Sequence, residues 1–244
     1  MASSRSEGKI GPKSRKEVYL GMGLALLGAL LWGLSGTCVQ FLENQRHVNM
    51  EWLVTVRLFV AGCINVAWVL ARHHLSDLTK IFFQPRDLGK FIIFSLLGVS
   101  LCQYTYFRAI AVAGVGLATV IQYTAPTLII IYLFLRYRKI PNQAEVLAVV
   151  LAFIGTLCIV FQGQPDLASL NGPVLFWGLI SAASIGVYTL QPVSLLAKYG
   201  TGPVLGLAMV LGGLVAKLVW FDAPSNMIWD AWTWAALFGI VVLG

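Results

Sequence analysis

Four apolar stretches of this chain carry amides, phenols and hydroxyls at helical spacing. One holds Thr119, Gln122, Tyr123 and Pro126, and a second Ser181, Ser184, Tyr188, Gln191 and Pro192. A third holds Trp32, Gly36 and Gln40, and a fourth Ser100, Gln103 and Tyr104. Residues three and four apart share a helix face. Hydrocarbon penalises such groups, so these faces should turn inward. They could line a polar cavity for a small molecule, or they could simply hydrogen-bond helix to helix. Arg57 adds a cation inside an apolar run. Its guanidinium could meet a carboxylate or phosphate in bidentate fashion, or form a structural ion pair with Glu51. The candidate ligand contacts are therefore Trp32, Gln40, Arg57, Gln103, Tyr104, Gln122, Tyr123, Tyr188 and Gln191. Pro126 and Pro192 lie inside predicted helices, where each withholds a donor from the carbonyl one turn back, at Gln122 and Tyr188. With Gly33 and Gly36 they are hinge candidates.

Other chemistry finds little support. His47, His73 and His74 fall between apolar stretches, and no acid lies deep in one. Glu51 and Glu145 stand at helix starts, where negative charge suits the dipole. Cys38, Cys63, Cys102 and Cys158 occupy four different stretches without C-x-x-C spacing, so no metal site or cofactor is expected. Gly33-Leu34-Ser35-Gly36 has the form of a serine-protease nucleophile motif, but no histidine base accompanies it within a stretch. Gly114-x-Gly116 lacks the third glycine and the βαβ setting of a nucleotide site.

The elements that must position these residues are membrane helices. Residues of the AVILMFWYC set make up 58% of the chain and charged residues only 11%, less than half the usual charged share of about a quarter. Seven stretches approach or exceed the roughly 20 residues a span needs: 18–42, 53–71, 91–110, 116–135, 146–161, 174–197 and 203–221. Gly114-Val115-Gly116 supplies the reversal between the third and fourth. An eighth stretch starts at Trp232 and is too short to cross, so the chain reads as cut off inside a helix. The net charge of +7 is not a nucleic-acid signal, because the basic residues sit in short inter-span loops. With seven spans, thirteen of them fall on one side, and Arg46 and Arg108 on the other. This bias places the N-terminus in the cytoplasm. Lys217 near the end of the seventh span should snorkel towards Asp222.

Gly28-Ala29 with Gly33, and Ser181-Ala182 with Gly186, form a weak internal repeat. A repeating unit of five helices must enter the membrane from opposite sides in its two copies, as in many secondary transporters. The expected organisation is a disordered cytoplasmic tail at 1–17, a first five-helix unit at 18–162 and an incomplete second unit at 171–244. The repeat offset implies a full length of about 300–315 residues. Gly202 and Gly206, with Ala208, Gly212 and Ala216, are expected to pack helices closely.

Several segments, in order, resemble EamA-like members of the drug/metabolite transporter superfamily. They are 28–37 (GALLWGLSGT), 52–57 (WLVTVR) followed by Ala61-Gly62, 103–107 (QYTYF), 118–126 (ATVIQYTAP) and Gly155-Thr156. Residues 188–192 (YTLQP) are similar to the sixth helix of a bacterial branch. The resemblance implies an all-α membrane protein of ten helices in two inverted five-helix repeats. It further implies a central cavity and export or exchange of amino acids, metabolites or drugs. The expected partners are the lipid bilayer and a small-molecule substrate, with a homodimer allowed and nucleic acid excluded. A lipid-modifying membrane enzyme, a channel and a scaffold are the alternatives.

Overall fold

The computed structural model describes residues 15–72, 79–138, 140–161, 171–220 and 227–243, and every regular element among them is helical. In chain order these are α1 (Arg15–Arg46), α2 (Met50–Arg72), a 3-10 turn (Lys80–Phe83), α3 (Pro85–Ile93), a π-helical stretch (Phe94–Ser100), α4 (Leu101–Gln122) and α5 (Ala125–Tyr137). There follow α6 (Gln143–Phe161), α7 (Gly172–Leu190), α8 (Val193–Tyr199), α9 (Thr201–Trp220) and α10 (Ala231–Leu243). Local chemistry sets several starts. The side chains of Asn49, Asn171 and Asp230 accept the backbone N–H groups of Trp52, Val174 and Thr233, at 3.1, 3.1 and 2.8 Å. Each satisfies an amide that the first turn leaves without a helical partner.

Five described stretches are long and apolar enough to cross a membrane, and one of them, Pro85–Tyr137, runs for 53 residues. As a straight helix it would measure about 80 Å, more than twice the hydrocarbon thickness. It is not straight, because Gly114 takes φ +75° and ψ 161°. The Tyr106 and Thr119 hydroxyls lie 2.9 Å apart across this break, whereas a continuous helix would hold those positions about 20 Å apart. The stretch thus doubles back at the expected glycine. Gln40 of α1 accepts the Val115 N–H released there, at 3.2 Å. Gly36 lets α1 come close, since a Cβ on it would lie 2.8 Å from Val115 Cγ2.

Glycines interlock α2 with α9. A Cβ on Gly62 would meet the Val210 backbone nitrogen at 2.7 Å, and one on Gly213 the Phe59 nitrogen at 2.7 Å. Gly202 and Gly206 press on Val69 and Asn65 in the same way, while Ala208 and Ala216 are fully buried. Close approach through small residues is how helices associate when lipid is as apolar as their side chains. The core contains Leu53, Leu58, Phe91, Phe94 and Phe107, whereas the outside remains apolar, with Leu26 67% and Leu30 68% exposed. That inversion of the soluble pattern fits a protein whose solvent is lipid.

Helix ends differ from the sequence expectations by a few residues. α1 begins at Arg15, so 15–17 are helical, while residues 1–14 lie outside the described residues. The larger departure concerns the prolines, which were expected to sit inside continuous helices. Instead, α4 stops at Gln122, and Pro126 lies in the first turn of the new helix α5. Likewise, α7 stops at Leu190 and Pro192 is the N-cap of α8. The missing donor breaks the ladder, and proline is well suited to the first turn of the following helix.

Candidate functional site

Arg57 and Gln103 carry the one cation buried among the described polar candidates. Arg57 is 4% exposed. Its Nη1 donates to Gln103 Oε1 at 2.8 Å, and its guanidinium carbon lies 5.3 Å from the Phe107 ring centroid. Its Nε has no hydrogen-bond partner, and among the described residues no carboxylate pairs with it. The ion pair with Glu51 considered from sequence does not form. Glu51 instead accepts from Arg108 Nη1 at 3.3 Å and from the Tyr104 hydroxyl at 3.4 Å. Two turns of α2 separate Glu51 from Arg57, and Arg108 reaches the carboxylate first from α4. Trp177 of α7 covers this cluster, edge-on to Tyr104 at 5.6 Å and 5.5 Å from the Arg108 guanidinium.

The other candidates disperse. Gln122 is buried and donates to Ser181 Oγ at 2.8 Å, a direct helix-to-helix bond between α4 and α7. Gly178 tightens the same contact, since a Cβ there would lie 2.5 Å from Ile121 Cγ2. Gln40 is spent on the hairpin break. Gln191 donates to the Lys90 carbonyl at 2.6 Å, and its Oε1 is buried without a partner. Tyr188 is partly exposed and lies 5.6 Å from the Phe94 ring. Tyr123 and Trp32 are about half exposed, and a Cβ on Gly33 would meet nothing within 4 Å. The structure therefore joins Arg57 with Gln103, sets Tyr104 nearby on Glu51, and does not gather the nine candidates into one cluster. Lys217 is exposed, and Asp222 lies outside the described residues.

Sequence reasoning missed two features. One is the π-helical stretch, where Ser95 and Ser100 are buried, Ser100 Oγ donates to the Gly212 carbonyl at 3.3 Å, and Gly98 abuts Tyr188. Such a bulge often marks a functional place in a helix, and only the pairing of small and hydroxyl residues in 95–100 hints at it. The other is a polar latch at the face opposite Glu51. There, Asp87 accepts from Lys198 Nζ at 2.6 Å and from the Tyr199 hydroxyl at 2.7 Å, and Lys198 also contacts Gln84. The Asp87 carboxylate, then the Tyr199 phenol, holds the Lys198 ammonium above its ordinary range. At the same end as Glu51, Arg46 pairs with Asp230 at 2.8 Å. The hydroxyl and N–H of Thr233, with Arg46 adding to them, keep the Asp230 carboxyl below its usual range.

Residues 19–161 match the model of the EamA-like transporter family. The chain belongs to the EamA-like transporter family. It is a membrane transporter with transmembrane helices, and its family is not a family of enzymes. The chain is 33% identical over 224 residues to a Salmonella typhimurium protein described as an uncharacterized inner membrane transporter, YicL, which covers 92% of this chain and 74% of that one. An uncharacterized transporter of Archaeoglobus fulgidus is 23% identical over 188 residues, 77% of this chain and 63% of its own length. A crystal structure with 18% sequence identity superposes on 89% of this chain and 73% of its own, with a TM-score of 0.65. Its likeness establishes a shared fold. Within this EamA-like frame, three of the residues quoted for the family resemblance fall at contact points between helices, while a Cβ on Gly28, Gly33 or Gly155 would meet nothing within 4 Å. Gly36 meets Val115, Arg57 meets Gln103, and Gln122 meets Ser181.

Proposed function

We propose that this chain acts as a secondary transporter of small organic solutes, amino acids, metabolites or drugs, by alternating access in export or exchange. The observation that carries the reading is Arg57. A buried guanidinium with a neutral amide as its hydrogen-bond partner and an unpartnered Nε is costly in a membrane protein, and charge at such depth is a functional signal by default. Gln103 orients it, Phe107 covers one face, and an anionic group on a solute would complete its donor set. Units 18–162 and 171 onward form two inverted halves that rock about this level. The charge bias puts the N-terminus and the face bearing Arg72, Lys80, Arg136 and Arg138 in the cytoplasm. The name of the Salmonella relative suggests the inner membrane as the location.

The test is flux in proteoliposomes, with a panel of amino acids, organic acids, amines and neutral metabolites under imposed proton and sodium gradients. Saturable, gradient-dependent uptake or efflux is expected for at least one class. Linear, non-saturating flux would indicate a channel, and absence of flux across the whole panel would overturn the reading.

A further inference from the structure

The guanidinium of Arg57 is only half used. Its Nη1 donates to Gln103 Oε1 at 2.8 Å. Nε and Nη2 share the other edge of the plane, and neither has an acceptor among the described residues. The Nε is buried, so bulk water does not serve it. Two N–H groups on one edge of a guanidinium are spaced for the two oxygens of a carboxylate. Protein carboxylates are committed elsewhere. Glu51 is taken by Arg108 at 3.3 Å and by Tyr104 at 3.4 Å, and Glu43 of α1 acts electrostatically on Arg108 as well. The buried neighbours of Arg57 along the two helices are largely apolar: Val54 and Leu58 on α2, and Cys102, Tyr106 and Phe107 on α4. The Tyr106 hydroxyl is already paired with Thr119 at 2.9 Å.

We infer that the solute held at Arg57 is a monocarboxylate with an apolar body, its two oxygens on the Nε–Nη2 edge. The inference rests on the transport reading and narrows it to one chemical class. Shape favours a carboxylate, which is planar and lies in the guanidinium plane. Phe107 covers a face of that plane and leaves the edge clear, and Gln103 fixes it from the opposite side. Charge sets the number of carboxylates at one. A single guanidinium balances a single negative charge, and Arg108 is committed to Glu51. A dianion would bury a second charge with no described cation to meet it, which is costly. An amino acid meets the converse difficulty, because its ammonium needs an acid beside Arg57 and Glu51 is engaged. A simple amine meets like charge. The edge is closed in this conformation, with Arg57 at 4% exposure. A solute reaches it when α4 parts from α2. That step exchanges polar bonds at Glu51 and Gln103, while the backbone contacts of α2 with α9 at Gly62 and Gly213 stay in place.

The experiment uses the purified full chain in neutral detergent, at neutral pH and constant ionic strength. Four probes of similar size differ in charge: isocaproate, leucine, isoamylamine and adipate. Apparent melting temperature is followed on titration with each, since binding to the folded state raises the midpoint by mass action. A saturable rise with isocaproate is expected, half-saturating at a concentration about tenfold or more below that of leucine or adipate. Isoamylamine should give no saturable rise. Arg57→Met should abolish the isocaproate response. Arg57→Lys keeps the charge but lacks the two-donor edge, and should weaken binding about tenfold. Arg136→Gln, a cation away from Arg57, should leave it unchanged. If Arg57→Met does not fold, Arg57→Lys and the ranking of the four probes decide. Equal half-saturation by leucine and isocaproate, a saturable rise with the amine, no saturable rise with isocaproate, or a rise that survives in Arg57→Met would overturn the inference. Flux separates its failure from that of the transport reading. Isocaproate binding without flux in proteoliposomes upholds the carboxylate site and fails the transport reading. Saturable amine or neutral-solute flux that persists in Arg57→Met upholds transport and overturns the carboxylate site.

Discussion

Gln103→Leu should destabilise the protein, whereas Arg57→Met should leave its stability nearly unchanged. Gln103→Leu keeps the volume and removes the acceptor 2.8 Å from Arg57 Nη1. The guanidinium then retains only the Phe107 ring, at 4% exposure. A hydrogen bond to a charged group contributes about 1.5–3 kcal/mol, and the stranded charge places the loss towards the upper end of that range. Arg57→Met removes the charge itself. It forfeits a cation–π contact of roughly 0.5–2 kcal/mol and leaves the Gln103 amide unpaired, but Gln103 is only partly buried. Against this stands release from desolvation. Replacing buried charge by an apolar side chain is often neutral or stabilising by about 1–4 kcal/mol. The net change should therefore fall within about 1 kcal/mol of zero, while saturable solute flux is lost. The assay is reversible unfolding in mixed micelles, read by helix content, alongside proteoliposome flux on the same preparations. If Arg57→Met destabilises the protein as much as Gln103→Leu, Arg57 is a structural cation and its assignment to the transport pathway fails.

Three further outcomes follow from the packing, the Arg46–Asp230 ion pair and the charge bias. Gly62→Ala places a methyl 2.7 Å from a backbone nitrogen of α9 and should destabilise by about 1–3 kcal/mol. Gly33→Ala, with nothing within 4 Å of the new Cβ, should be neutral or stabilising by up to about 1 kcal/mol through helix propensity; unfolding midpoints compare the two. Asp230 titrates below its unfolded value, so its hold on Thr233 and Arg46 is complete above about pH 4 and is lost as pH falls through the lowered value. Fluorescence of the Trp52, Trp229 and Trp234 cluster should report that transition, and Asp230→Ala should abolish it. In a cysteine-free background, Asn171→Cys should react with an impermeant thiol reagent from outside intact cells and Arg138→Cys should not; the reverse would invert the proposed orientation.

What could be read from the sequence depended on whether a feature is local. Apolar runs, the reversal at Gly114 and the small-residue face at Gly202, Gly206 and Ala208 rest on hydropathy, backbone freedom and side-chain size, each visible within a few residues. Partner choice was not. Glu51 is six positions from Arg57 and seemed its natural partner, yet Arg108, more than fifty positions away in α4, takes that carboxylate. The packing of α2 against the first limb of α4 brings it there, and the helix period alone says nothing about that. Gln40 and Gln122 read equally as cavity lining or helix-to-helix bonding, and both turned out to bond within the protein. Proline was recognised as a perturbation, but whether it bends or breaks a helix depends on the neighbours. Here, Thr124 bonds the Ile121 carbonyl through both its N–H and its hydroxyl, which lets the chain stop and restart.

The two proline breaks gain meaning from what lies on either side of them. Above them, α4 and α7 are locked by Gln122 on Ser181 and by Gly178 against Ile121, a contact too close for any side chain. Beyond the second break, α8 is held to α3 through Asp87, Lys198, Tyr199, the Lys90 contact with Ser194 and the bond from Gln191 to the Lys90 carbonyl. Lys90 and Lys198 are solvent-exposed, and exposed ion pairs contribute about 0–1 kcal/mol apiece. The interlock of α2 with α9 sets backbone against backbone and cannot open without losing packing along a whole helix. A motion that opens the basic face should therefore swing α8 about Gln191–Pro192 and leave the α2–α9 pair intact. The break at Gly114 is satisfied within the protein, since Gln40 accepts the Val115 N–H there. We therefore propose the hinge at the proline breaks, where polar contacts near water can exchange, with the Gly114 hairpin expected to move as a rigid body.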